Sequence, residues 1–170
     1  SRGLGDVYKR QQQERDTIFY KEVNGIRFAF LSYTYGTNGI PVPDDYLVNL
    51  IDGNNMTADI REAKQHADVV VVMPHMGNEY ETSPRDVFVE WADRMFDAGA
   101  DIVLASHPHV LQRMEYRSLD HGEGIHDGFI IYSLGNFLSS QTTPPRNASI
   151  VLHLTVEQVA DAPPNVTEVS

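Results

Sequence analysis

The stretch ADIVLASHPHVLQ, residues 100–112, ends an apolar run in two histidines separated by one proline. On extended backbone, residues i and i+2 project to the same side, so His107 and His109 can present ring nitrogens to a common site while Pro108 stiffens the turn between them. Imidazole suits Zn, Mn, Fe or Ni, with Zn–N bonds of about 2.0–2.1 Å, and either one metal ion or a metal pair fits such an arrangement. H-x-H alone is also compatible with two loop histidines that hold nothing. A third histidine, His75, closes another apolar run and opens MPHMGNEYETSP. There Gly77 lets backbone approach a ligand, and Asn78 and Glu79 place polar side chains at the same mouth, unless the stretch is only a polar strand-to-helix loop. In IIYSLGNF, Gly135 serves a tight turn and Asn136 either caps it or hydrogen-bonds a ligand. The remaining histidines fall outside the site. His66 sits at a helix end, where it complements the dipole. His121 and His126, among acidic and glycine residues, read as solvated loop histidines, and His153 as an outward residue of a strand.

Bringing His75 to the His107/His109 pair requires a particular set of elements. TIFYKEV and IRFAFLSYTY are β-rich runs around Asn24-Gly25, a pair suited to the two positive-φ positions of a type I′ hairpin turn. GTNGIPVPDDY follows as a long loop. TADIREAKQHA spaces Ile60, Ala63 and Ala67 as one helical face, with Asn55 or Thr57 as cap and an acidic first turn. DVVVVMPH is a continuous apolar run, the pattern of a strand covered on both faces. SPRDVFVEWADRMFDAGA predicts a second helix with Val87, Trp91, Met95 and Phe96 on its apolar face, starting near Ser83-Pro84 and ending at Gly99. DIVLAS is a second buried strand. LQRMEY and GFIIYSLGNF are two more, flanking the turn-rich LDHGEGIHDG, and SIVLHLTVE is the last, followed by a polar tail over 158–170. Residues 1–14 read as disordered or non-native. Strand, helix, strand, helix, strand, then a run of strands gives a layered α/β sheet, in which ligands gather at the carboxyl ends of the strands.

The chain carries 13 Lys plus Arg against 24 Asp plus Glu, a formal net charge of −11. Such a surface disfavours nucleic acid and anionic membranes and favours a bound cation. With no cysteine, disulfides and thiolate metal sites are excluded, so any metal must be held by His, Asp, Glu or Asn. No apolar stretch reaches the roughly 18 residues that span a bilayer, and the chain as given reads as soluble.

Taken in order, NGIRFAFLSYTYGTNGIPVP, VVVMPHMGNEYETSP, AGADIVLASHPHVLQRMEY and IIYSLGNF resemble the CapA family of bacterial poly-γ-glutamate capsule synthesis proteins, whose domain has the calcineurin-like metallophosphoesterase fold. The similarity runs over residues 17–156. The chain differs from the family's usual residues at Ala105, Met76 and Arg113, none of which would supply a metal-binding atom. The resemblance implies metal-binding roles for His75, His107 and His109, Glu79 as a metal-shell or general-base residue, and Asn136 as a substrate-positioning residue. It implies two divalent ions (Mn, Zn or Fe), with the remaining ligands on family motifs not seen upstream in this chain. Residues 15–157 are thus expected to be the C-terminal part of a metallophosphoesterase-type α/β domain, with an apolar face and a sheet edge left uncovered.

The expected role is a capsule-related, metal-dependent hydrolase at the bacterial surface. Its partners would be poly-γ-glutamate or capsule machinery, without nucleic acid, and any membrane anchor would lie in an N-terminal segment absent from this sequence. A non-catalytic polymer-binding or assembly component, or a general cytosolic metallophosphoesterase, are the alternatives.

Overall fold

The computed structural model describes residues 17–51, 54–160 and 162–170. The expectation for residues 1–14 lies outside the described residues. Asn24 and Gly25 take φ of 52° and 85°, so the predicted hairpin joins β1 (Phe19–Val23) to β2 (Ile26–Thr34) with Val23 opposite Ile26. Strands β3 (Val69–His75), β4 (Ile102–Leu104), β5 (Met114–Asp120) and β6 (Ile125–Ile131) complete a six-stranded sheet in the order β1-β2-β3-β4-β6-β5. Its centre, β2-β3-β4-β6, is parallel, and both edge strands run antiparallel to their neighbours.

Why β3 is apolar without alternation follows from the layers. Val70 and Val72 face α1 (Asn55–His66) and α2 (Asp86–Ala98), within a core that includes Ile60, Ala92, Met95 and Tyr132. Val69 and Val71 face the other way, into a second core with Ile102, Phe129, Ile131 and Val166. A two-stranded ribbon, β7 (Leu154–Glu157) with β8 (Asn165–Val169), covers part of that second face. Beside the ribbon an apolar groove of about 460 Å³ stays open, lined by Phe28, Phe30, Val71, Leu104 and Val156.

Several expectations shift. The segment read as a polar tail contains β8, whose Val166 is 3% exposed. The last predicted strand shortens to β7, because residues 149–153 pair only locally, through Ser149 with Gly135 and His153 with Ser170. Asn54 takes the cap position of α1, one residue ahead of Asn55 and three ahead of Thr57, so no acidic residue falls in the first turn. Helix α2 starts at Asp86 and buries Phe88, Ala92, Met95 and Phe96, leaving Val87 exposed on the opposite side. Its end is as expected. Gly99, at φ 117°, donates its N–H to Phe96 O (2.9 Å), and Ala100 N–H reaches Met95 O (3.0 Å), the paired bonds that close a helix on a left-handed residue.

The turn-rich segment is mostly strand, since β5 continues to Asp120 and β6 begins at Ile125. His121 and His126 are consequently not solvated loop residues. His126 is 5% exposed and His121 is partly buried, and both lie against Asp101 at the amino-terminal edge of the parallel strands. Asp101 is itself 3% exposed. Its Oδ2 accepts the Val70 N–H at 2.7 Å, its backbone N–H returns a bond to Val70 O at 2.9 Å, and Lys64 Nζ stands 3.3 Å from both carboxylate oxygens. The hydrogen bond to this carboxylate raises the His126 pKa above the ordinary imidazole value, against desolvation.

Candidate functional site

Parallel pairing sets Thr34 of β2 opposite His75 of β3, and an isolated bridge sets His75 opposite Ser106 beyond β4. The carboxyl ends of three adjacent segments therefore open onto one surface. Met76 N–H donates to Ser106 O (2.9 Å) and Tyr80 N–H to Pro108 O (2.7 Å), tying the His75 loop to the H-P-H turn. Gly77, at φ 125°, lies so close that a Cβ there would stand 2.6 Å from Pro108 Cγ. The sequence expectation was close approach to a ligand; the group this glycine admits is the Pro108 ring.

Tying the loops this way brings the predicted residues together. The His75 and His107 rings are 4.6 Å apart by centroid, and His107 and His109 are 5.9 Å apart. Glu79 joins them: one carboxylate oxygen and one nitrogen each from His107 and His109 all lie within 4.8 Å of one another. His75 stands beside this trio, against His107. The H-P-H backbone corrects one expectation, because His107 and His109 have φ of 115° and 60° and are not extended. Their rings converge through two left-handed residues, where the two-residue period of a strand does not apply.

Asn136 lies behind His109. Its Nδ2 faces three acceptors, Arg146 O (2.8 Å), His109 O (3.2 Å) and Gln141 Oε1 (3.2 Å), so the amide is oriented with Oδ1 toward His109. His109 Nδ1–H then donates to Oδ1 at 2.7 Å, which leaves Nε2 with its lone pair outward. Asn136 thus positions a histidine, a role closer to the turn-capping alternative than to direct contact with substrate.

Burial lowers the pKa of His75, with His109 adding to the effect, and burial with His75 lowers that of His107, with Glu79 acting in the opposite sense. Both shifts favour the neutral form of the ring, the form that binds metal. The imidazoles of His107 and His109, the Glu79 carboxylate and Asn136 behind His109 form a donor set that fits a divalent transition-metal ion. Tyr35, missed in the sequence, packs with its ring centre 4.8 Å from that of His107 and 6.2 Å from that of His75, and the Tyr80 ring lies 6.1 Å from His109. Tyr35 immediately follows β2, whose last residue pairs with His75, so the parallel register was the signal that would have found it. A cleft of about 580 Å³ leads from His75 along β2, past Ser32, Thr34, Asn49, Asp59 and Glu62.

Residues 5–141 match the sequence profile of the bacterial capsule synthesis protein PGA_cap family. The chain belongs to that family. Among curated PGA_cap relatives, it is 38% identical over 138 residues to the PGA biosynthesis protein CapA of Bacillus subtilis (strain 168), covering 79% of this chain and 34% of that protein. It is 33% identical over 160 residues to the capsule biosynthesis protein CapA of Bacillus anthracis, covering 89% of this chain and 36% of that protein. The chain thus spans about a third of the length of these relatives. A solved structure, that of a hypothetical protein from Thermus thermophilus, overlaps 90% of this chain and 59% of its own at TM-score 0.46 and 17% identity. Met76 and Ala105 are buried, and the Arg113 guanidinium lies 5.0 Å from the Tyr132 ring centre. Among the described residues, no helix is long and apolar enough to cross a membrane.

One prediction arises directly from the Asn136 contacts. Asn136→Ala removes the acceptor from His109 Nδ1 and frees the ring to turn. Metal affinity at this site should fall about 10- to 100-fold, the usual effect of losing such a backing partner. Isothermal titration with Mn²⁺ or Zn²⁺ measures this, and an unchanged affinity would mean that the ring is held by packing alone.

Proposed function

We propose that this chain supplies one side of a divalent-metal hydrolase centre in a protein of poly-γ-glutamate capsule biosynthesis, acting at the bacterial surface. The observation that carries the reading is the convergence of Glu79, His107 and His109 within 4.8 Å, at the carboxyl edge of a parallel sheet. His75, His107 and His109 are the metal-holding histidines of this reading, and Glu79 completes their shell or takes a proton from the attacking water. A divalent pair at such a site supplies Lewis acidity and a water ionised near neutral pH. The chain's own contribution is positional. Asn136 fixes the His109 tautomer, Tyr35 packs against two of the rings, and Gly77 allows Pro108 to lock the turn. The relatives' greater length leaves room for further ligands and for any anchor.

The family and the names of the two CapA relatives support the capsule assignment. Those names speak of biosynthesis and not of hydrolysis, which favours polymer binding or assembly as the second reading. A protein extended to the relatives' length, loaded with Mn²⁺ or Zn²⁺, separates the two. Turnover of poly-γ-glutamate or of a generic phosphodiester, abolished by chelator and restored by metal, is the expected result. Polymer binding without turnover under any of these metals would replace the hydrolase by the assembly component.

A further inference from the structure

A second group of metal-binding side chains lies at the opposite edge of the sheet. Asp101 precedes β4, His126 is near the start of β6, and His121 follows β5, so all three meet where the parallel strands begin. Asp101 Oδ1 is 2.9 Å from His126 Nε2 and 3.5 Å from His121 Nε2, and one donor atom from each residue lies within 4.8 Å of the others. We propose that Asp101, His121 and His126 form an independent site for a single zinc-class divalent ion, held by two imidazoles and one carboxylate.

Three features favour coordination over a purely ionic cluster. Ligand atoms bound at about 2.0–2.1 Å in a tetrahedron stand about 3.3 Å apart, and the two observed nitrogen–oxygen separations bracket that figure. Backing bonds orient two of the three ligands, because His126 Nδ1 faces Gly124 O at 3.3 Å and Asp101 Oδ2 is fixed by the Val70 N–H. Oδ1 is shared with Lys64 Nζ at 3.3 Å, and His121 Nε2 would exchange its contact with Ala100 O, also at 3.3 Å, for the ion. Access is also provided, because His121 opens the exposed turn of residues 122–124 while Asp101 and His126 are buried beneath it.

Without metal, Lys64 and the hydrogen bond between His126 and Asp101 balance the carboxylate. An ion would displace the proton between His126 Nε2 and Asp101 Oδ1 and loosen Lys64, which keeps a second partner in Asp68 O at 3.0 Å. Because His121 and His126 belong to one hairpin, the site would clamp β5–β6 onto the start of β4 and needs no residue beyond this chain.

The test uses the full chain with His107 and His109 both replaced by alanine, so that the other cluster is disabled. Zn²⁺ titration by calorimetry should give one equivalent bound, and Co²⁺ should give the visible absorption of a four-coordinate ion. Adding His121→Ala, a turn substitution that leaves the strands intact, should weaken Zn²⁺ binding by more than about tenfold, and His126→Gln should do the same. Circular dichroism in chelator confirms that each variant is folded. Failure of the parent double variant to bind, or equal affinity with and without His121, overturns the proposal whatever the first cluster does.

Discussion

Replacing Asp101 by alanine should cost about 3–5 kcal/mol of folding stability, the range seen when one member of a buried charged pair is removed. The magnitude follows from what remains. Val70 N–H loses its side-chain acceptor, Lys64 loses a carboxylate beneath a surface where it is 13% exposed, and His126 loses the group that holds its proton. Val70 N–H is left without its acceptor, while Lys64 and His126 keep one partner each, Asp68 O and Gly124 O, and lose the charge that balances them. The site is also structurally central, since Asp101 donates its backbone N–H to Val70 O, takes the Val70 N–H on its side chain and receives Phe129 N–H on its carbonyl at 3.0 Å, joining β3, β4 and β6. Urea unfolding in the presence of chelator measures the loss. A cost below about 1 kcal/mol, the worth of one ordinary hydrogen bond, would show that the carboxylate is replaceable by water.

The second large effect is on metal binding at the carboxyl edge. His107→Ala and His109→Ala each remove a donor atom, where Asn136→Ala removes only its support. Their effect on affinity should therefore exceed about 100-fold, above the range for a backing partner, and bound metal per chain should fall accordingly. Elemental analysis after gel filtration gives the metal content. His121→Ala, which a reading of the sequence alone offers as a neutral control, is unsuitable because His121 lies against Asp101. Exposed His153 replaces it and should leave metal content unchanged. Full retention of metal in both histidine variants would move the site away from this turn.

Where the sequence was legible, simple periodicity carried the information. The unbroken valines of β3 announced two covered faces, Asn24-Gly25 announced the hairpin, and His75 at a strand end pointed to the edge where His107 and His109 also lie. The H-P-H residues were singled out for their ligand chemistry on the assumption of extended backbone, and that backbone was wrong, since no period reveals that a non-glycine residue takes a left-handed φ. Asp101, His121 and His126 were hidden by their distance in sequence. Their signal was faint but real: an acidic residue directly before a buried apolar strand needs partners, and His126 falls in phase with the buried residues of β6. Strand β8 was obscured by its exposed polar residues and the two prolines before it, while its pairing with β7 depends on a ribbon that only the sheet's second face makes stable.

The left-handed H-P-H turn has an evolutionary consequence. Each such residue other than glycine holds about 1–3 kcal/mol of backbone strain, and His107 at φ 115° lies where glycine is most at ease. Substitution of His107 by glycine would relax that strain while removing a buried ring that packs against Tyr35 and His75. A histidine at this position therefore carries a standing conformational cost that its ring packing, and under the proposed function its metal-holding role, must offset.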